Sequence, residues 1–277
     1  MNLLEKWLDY RQCNTSFTFR LVRITEKHTP DTEIIEYLQE KLLTSYRSLE
    51  FYQFHLGAGA TEEEIKQYVV EKVVPKNENL FDKSVRQGDW GEILATMIVS
   101  YFQGLIVPIN KLQWKFNKDK AVFGTDLVAF DNAGAIKDIY YYEVKTRTHP
   151  NNKEGTHPNR FYISVIAHNS LLNHDLSPTE SIADFLERFY VEKQEYDRAA
   201  QFKDIVRNPQ NYKKKFELFL IVEKSSFPEN MLEDLNSLPP RLSPLNVTIV
   251  LIDNLASLVD NTWRDIETAL VRKMVTV

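Results

Sequence analysis

Two short stretches of the chain carry the residue types that hydrolyse phosphodiester bonds with the help of a metal. The first is Gly124–Asp126, with the sequence GTD, and the second is Glu143–Lys145, with the sequence EVK. A metal-dependent nuclease holds a hard divalent cation through carboxylate oxygens and activates a water molecule beside the phosphate. We therefore predict that Asp126 and Glu143 bind Mg²⁺, or Mn²⁺ in its place, and that Lys145 orients or activates the attacking water.

Strand geometry would bring these residues together. Alternate side chains of a strand share a face, so Glu143 and Lys145 point the same way, while Val144 points away and leaves its carbonyl available as a further metal ligand. Residues 131–134 have the composition of a tight turn. A hairpin through this turn would place Asp126 beside the strand that carries Glu143.

The triplet alone is weak evidence, because an acid-x-Lys pattern occurs twice in the chain. The other copy, Glu64–Lys66, falls in a predicted helix, where residues two apart do not share a face. The alternative for Glu143 and Lys145 is an ordinary exposed strand with alternating charges. The preceding Asp126 and the order helix, strand, strand favour the nuclease interpretation.

Glu92 has two interpretations that the residues alone do not separate. Asp89 and Glu92 have the spacing of a capping box, in which both satisfy backbone donors at a helix start. Alternatively, Glu92 projects from this helix toward the carboxylates and helps to hold a metal or its water.

Basic residues near the motif could contact nucleic acid. Arg147 shares the face of Lys145 if the strand continues, and Lys115 and Lys120 precede the motif. We expect phosphate contacts from these three side chains. The alternative is a solvated surface, which is the usual fate of scattered charges.

The bulk composition limits the class of protein. The chain has 277 residues, a net charge of −5 and a pI near 5.8, whereas a protein that grips DNA unaided usually has a basic footprint. We therefore expect that the protein alone binds DNA weakly and through a local surface, or that a partner delivers the substrate. No apolar run is long enough to span a bilayer, and the single Cys13 excludes an internal disulfide framework, so we expect a cytoplasmic protein without a membrane contact.

Other chemistries find little support. The histidines at 149, 157, 168 and 174 lack the spacing of a zinc hydrolase, and two of them precede prolines in a loop-like stretch. The motifs of nucleotide hydrolysis, dinucleotide binding and serine hydrolysis are also missing from the sequence.

The elements that must position the motif suggest an α/β protein with both sheet faces covered. Apolar patterns predict strands at 17–24, 48–56, 105–116, 121–130, 136–146, 216–222 and 247–252. Capping residues and helical spacing predict helices at 31–43, 61–73, 89–103, 161–172, 177–206 and 262–274. We assign residues 1–78 to an N-terminal α+β region with a partner-docking role and residues 79–277 to the core that carries the motif.

The stretch Gly88–Leu94, followed by Gly124–Asp126 and Glu143–Thr146, resembles the nuclease subunit of Hachiman anti-phage defence systems, HamA. The resemblance is clearest over residues 80–175. It implies a restriction-endonuclease-like core of the PD-(D/E)xK superfamily with a mixed central sheet flanked by helices. It also implies a divalent metal, DNA as the substrate, and a helicase partner, encoded alongside, that restrains the nuclease.

Carried over by position, the resemblance makes Asp126 and Glu143 metal ligands, Lys145 the catalytic lysine and Glu92 the helix glutamate of such sites. Thr125 stands where the general motif has proline, which weakens the pattern match more than the mechanism. Two alternatives stay open, an RNase on the same fold and an inactive scaffold for the helicase.

Overall fold

A mixed six-stranded sheet organises the protein. The computed structural model describes residues 2–57, 59–120, 124–131, 135–148, 162–173 and 178–275. The strands are β1 Leu8–Cys13, β2 Arg20–Glu26, β3 Leu127–Phe130, β4 Asp138–Arg147, β5 Lys213–Glu223 and β6 Leu245–Ile252. The helices are α1 Leu3–Trp7, α2 Thr32–Tyr46, α3 Leu49–Leu56, α4 Glu62–Tyr68, α5 Leu80–Phe102, α6 Ile163–Asn173, α7 Pro178–Glu192, α8 Tyr196–Arg207, α9 Asn230–Asn236, α10 Leu255–Trp263 and α11 Ile266–Val275.

The sheet has the order β1-β2-β6-β5-β4-β3. Its four inner strands run parallel, and the edge strands β1 and β3 are antiparallel to their neighbours. The predicted α/β class with a mixed, helix-flanked sheet is therefore confirmed, and the architecture agrees with a restriction-endonuclease-like core.

Each face of the sheet carries its own apolar cluster. One cluster includes residues of α2, α4, α5, α10 and α11, and the other includes residues of α6, α7, α8 and α9. Strand β5 contributes to both, since Phe219 and Ile221 belong to the first cluster and Leu218 and Leu220 to the second. This explains why residues 216–222 appear as a continuous apolar run rather than an alternating one.

The first strands belong to the same sheet as the rest of the chain. Strand β2 pairs in parallel with β6, and α2 contacts α5, α10 and α11. Residues 2–57 and the later elements thus share one sheet and one apolar cluster. The division into two units at residue 78 stays a prediction; residue 79 is the N-cap of α5.

Several predicted elements are confirmed with small shifts at their ends. Asp31 caps α2, and Thr61 and Glu64 form the expected capping box at α4, which continues into a π-helical turn over Val69–Val73. Strands β4, β5 and β6 match the predicted runs to within three residues at each end. The first predicted strand corresponds to β2, a few residues further along, while β1 was missed.

Two predicted strands are wrong. Residues 48–56 form helix α3, because the Ser48 hydroxyl accepts a hydrogen bond from the Phe51 amide and starts a helix there. Within residues 105–116, Ile106 alone makes a bridge, to Phe130, and Asn110 then caps a 3₁₀ turn over Lys111–Trp114.

Three helix boundaries also differ from the prediction. Helix α5 begins at Leu80, with Asn79 as its cap, so Asp89 and Glu92 lie inside it. The predicted helix at 177–206 is two helices, separated near Gln194, and the predicted closing helix is divided at Asp265. Gln194 and Asp265 both have positive φ angles, which interrupt a right-handed helix.

Candidate active site

The hairpin of β3 and β4 brings the two predicted motifs together. Leu127 pairs with Tyr142, so Asp126 lies one residue before the pairing begins. The Asp126 carboxylate continues the ladder, because its Oδ2 accepts a hydrogen bond of 2.9 Å from the Val144 amide. The turn residues 132–134, which were expected to close this hairpin, lie outside the described residues.

Glu143 and Lys145 occupy the same face of β4, as strand parity predicts. The Lys145 ammonium forms an ion pair with Glu143 Oε1 and lies 4.0 Å from Asp126 Oδ2. Glu143 is 2% exposed, whereas about a quarter of the Lys145 side chain, 23%, reaches solvent. A single ammonium group therefore lies beside both carboxylates, where a bound cation would also find its ligands.

Lys111 is a member of the site that the sequence did not identify. Its Nζ lies 3.2 Å from Asp126 Oδ1 and 3.3 Å from the Gly124 carbonyl oxygen. Asp126 is thus held from both sides, by Lys111 at one oxygen and by the Val144 amide at the other. The only signal in the sequence was that Lys111 stands shortly before the motif, in a stretch that also contains Lys115, Lys118 and Lys120.

Glu92 does not cap a helix, because α5 begins twelve residues earlier at Leu80. It is partly buried, and this burial raises the pKa of its carboxyl to about 8. Lys111 acts against this rise, while the nearby Asp126 and Asp89 carboxylates add to it. The capping-box interpretation is therefore wrong, and Glu92 lies within the electrostatic reach of Asp126.

The close approach of α5 to β4 fixes where Glu92 sits. A Cβ atom on Gly91 would lie 1.8 Å from Thr146 Oγ1, so only glycine allows this contact. One turn earlier, Gln87 Nε2 donates a 2.5 Å hydrogen bond to the Thr146 carbonyl oxygen. Helix α5 is thus attached to the strand that carries Glu143 and Lys145.

The three residues expected to contact nucleic acid lie in different environments. Lys115 is buried, with its Nζ 2.7 Å from Asp89 Oδ1, so the expected phosphate contact is replaced by an internal ion pair. The Tyr46 hydroxyl also donates a hydrogen bond to Asp89. Burial raises the pKa of the Asp89 carboxyl, and the neighbouring Lys115 offsets part of this rise. Arg147 and Lys120 are exposed.

The donor set fits a magnesium-type cation. Within the residues that the structure describes, His, Cys, Asp and Glu side chains form no cluster of three or more that could hold a metal. Mg²⁺, however, often takes one or two carboxylates and fills its other positions with water and phosphate oxygens. Asp126 and Glu143 supply two carboxylates. Because the N–H and C=O of a strand residue point to the same side, the Val144 carbonyl also faces Asp126.

Of the four histidines at 149, 157, 168 and 174, the structure describes one. His168 is buried on α6. Residues 149, 157 and 174 lie outside the described part of the chain.

Comparison with known proteins assigns a family. The family model HamA matches residues 1–263. The chain belongs to the HamA family. This membership agrees with the resemblance found in residues 80–175 and connects the protein to Hachiman anti-phage defence. A search of curated proteins gives no match. Among the described residues of this HamA-family chain, none of the helices combines the length and apolar character needed to cross a bilayer.

Proposed function

We propose that this HamA-family protein is a metal-dependent deoxyribonuclease and acts as the cutting subunit of a cytoplasmic defence complex with a helicase. The observation that carries the proposal is the convergence of Asp126, Val144, Glu143 and Lys145 at one end of the β3–β4 hairpin. This combination of two carboxylates, a backbone carbonyl and a lysine suits phosphodiester hydrolysis.

Each side chain has a distinct task in the proposed reaction. Asp126 and Glu143, with the Val144 carbonyl, would hold Mg²⁺ or Mn²⁺, which would stabilise charge on the phosphate and favour formation of hydroxide from water. With the cation bound, Lys145 would no longer pair with Glu143, and its ammonium would orient the attacking water. Glu92, with its raised pKa, is suited to accept or return a proton near neutral pH.

The helicase partnership is supported by charge and by family. The net charge of −5 gives the protein no general attraction for a polyanion, so a partner that already holds DNA would supply local concentration. Membership of the HamA family supports the same arrangement.

The test compares wild-type protein with the Glu143→Gln/Lys145→Met double variant on supercoiled DNA and on RNA, with Mg²⁺, with Mn²⁺ and with chelator. Both partners are changed together because loss of one alone would leave a buried charge unpaired. We expect DNA cleavage by wild type with metal, and a loss of more than roughly a hundredfold in the variant.

The Asp138→Asn/Lys215→Met variant provides a matched control. The ion pair of Asp138 and Lys215 joins the opposite end of β4 to β5. Its double variant removes one carboxylate and one ammonium, as the site variant does. It should retain cleavage. Undiminished cleavage by the Glu143→Gln/Lys145→Met variant would refute the site, and cleavage of RNA alone would refute the substrate.

A further inference from the structure

The segment that links α5 to β3 alternates basic and aromatic side chains. Residues 111–120 have the sequence KLQWKFNKDK. Phe116 is fully exposed, and Trp114 is 44% exposed although its ring meets Phe185 edge-on. Exposed aromatic rings next to lysines are the combination with which proteins bind unpaired nucleic acid strands.

The backbone of this segment is anchored at two points. Lys111 contacts Asp126 of the candidate site, and Lys115 reaches into the interior to pair with Asp89 of α5. The buried Lys115 fixes the position of its neighbour Phe116, which faces solvent. Phe116 is therefore an exposed aromatic ring on an anchored support, and no apolar packing among the described residues accounts for it.

A groove lies directly beside Phe116. It has a volume of about 300 Å³ and runs between this segment, the end of α2 and the π-helical turn Val69–Val73. Its lining includes the cations Arg47, Lys72, Lys115 and Lys118 and the anions Glu71 and Asp119. Because Asp89 offsets Lys115, the groove has only a slight excess of positive charge, in a chain whose net charge is negative. Short π-helical turns also occur frequently at functional sites.

One chain segment connects the groove to the candidate active site, because it carries Phe116 beside the groove and Lys111 beside Asp126. Lys111 and Phe116 are joined by a 3₁₀ turn and two further residues, which span roughly 10–15 Å. A strand bound along this segment would run from the groove toward Lys111, whose ammonium contacts Asp126.

We infer that the groove binds unpaired nucleotides, with a base stacked on Phe116 and a phosphate held by the exposed Lys72, and that it leads one DNA strand to the candidate active site. The inference rests on the proposed function and names its substrate form as a single-stranded segment. Duplex DNA fits less well, because its bases are already stacked on one another and cannot reach Phe116.

The test measures binding without cleavage. Full-length protein carrying Glu143→Gln and Lys145→Met is titrated, in chelator, with a labelled single-stranded oligodeoxynucleotide and with a duplex of the same length. Phe116→Ala should weaken single-strand binding by roughly 5- to 150-fold, the range measured for loss of one stacked base, and Phe116→Trp should restore it. Lys72→Ala should lower the slope of log K against log salt by about 0.7.

Tyr196→Ala is the matched control, because Tyr196 is an exposed aromatic residue on α8, on the opposite face of the sheet. It should bind as the parent does. Phe116 lies in solvent, so its alanine variant should fold normally, and circular dichroism would check this.

Two outcomes would overturn the inference. One is equal single-strand binding by the parent and the Phe116→Ala variant. The other is unchanged DNA binding combined with loss of helicase co-purification, which would make the groove a protein-docking site. A chain that shows Phe116-dependent binding but cleaves nothing with Glu143 intact would refute the nuclease proposal and support the groove.

Discussion

At the scale of single residues, the candidate site balances its charges internally. Asp126 and Glu143 are low in exposure, and unpaired carboxylates there would be costly. Lys145 and Lys111 supply positive charge in the metal-free protein. A divalent cation bound as proposed would therefore compete with two ammonium groups for the same oxygens.

Removal of Lys111 should strengthen metal binding. In Lys111→Met, Asp126 Oδ1 loses its ammonium partner, so we expect the Kd for Mn²⁺ to fall by about 1.5- to 5-fold, the range for a partly exposed ion pair. Isothermal titration calorimetry would measure it. Lys120→Met, which removes an exposed lysine of the same segment, should leave the Kd unchanged. Equal or weaker binding by Lys111→Met would contradict this competition.

Glu92 should make stability depend on pH. Burial raises its pKa from 4.5 to about 8, so the folded state holds a proton that the unfolded state has lost between these values. Glu92 therefore contributes its full share to the free energy of unfolding below about pH 4.5. This contribution decreases as the pH rises and is lost once the pH has passed about 8. Glu92→Gln should stabilise the metal-free protein by on the order of 1–3 kcal/mol at pH 9 and hardly at all at pH 4.5.

Urea unfolding of wild type and Glu92→Gln in chelator at these two pH values would measure the effect. A difference that does not grow with pH would show that Glu92 stays ionised in the folded protein.

The residues on regular strands were predictable, and those held by irregular segments were not. Parity and a short hairpin suffice to align Asp126, Glu143 and Lys145, since both rules act over a few residues. Lys111 and Lys115 reach their partners through a coil whose path depends on packing elsewhere. Their environments could not be deduced from spacing, and for Lys115 the predicted role was replaced by a buried pair.

At the scale of elements, α5 and β4 are joined by a contact that depends on the absence of a side chain. Gly91→Ala would push its Cβ into Thr146 Oγ1, which lies on the same strand as Glu143 and Lys145. We expect a loss of about 1–3 kcal/mol in stability and reduced cleavage, because Glu92 and β4 move apart.

Urea unfolding and plasmid cleavage would test this, with a matched helix substitution beside it. Gly88→Ala meets open space and should stabilise the protein by about 0.5–1 kcal/mol. Thr146→Ala should recover part of the loss in the Gly91→Ala background, as a double-mutant cycle would reveal. An additive cycle would disprove the contact.

The mispredicted elements show where local pattern is insufficient. Residues 48–56 contain aromatic residues that favour strands, yet the Ser48 cap and the burial of Tyr52 decide for a helix. The spacing of Asp89 and Glu92 suggested a helix start at Asp89, although both residues lie within α5, which packs against β4. Helices end near Gln194 and Asp265 because these residues have positive φ angles. Neither residue is a glycine, so the sequence pattern does not indicate the two breaks.

At the scale of the whole molecule, the N-terminal strands are part of the sheet that carries the site. Strand β2 lies between β1 and β6, so deletion of residues 1–75 would expose the edge of β6 as well as remove any docking surface. Such a deletion would not separate folding from partner binding. Surface substitutions are the better test of a docking role for this region.

The shared sheet predicts a single unfolding transition. Urea unfolding of the full chain, followed by circular dichroism and by tryptophan fluorescence, should give coincident curves, because Trp7 and Trp90 belong to the same apolar cluster. Residues 79–277 expressed alone should aggregate. Two separate transitions, or a stable 79–277 fragment, would show that the chain consists of independent units.

The place of β6 in the sheet has a consequence for synthesis on the ribosome. Strand β2 ends at Glu26, but its parallel neighbour begins only at Leu245. At typical elongation rates this interval lasts roughly 10–40 s, during which β2 lacks that neighbour. The hairpin that carries Glu143 is complete long before the sheet can close around it. A prematurely terminated chain should therefore hold Asp126, Glu143 and Lys145 without the complete sheet that aligns them, so that, if the proposed function is right, incomplete translation products should cleave little DNA.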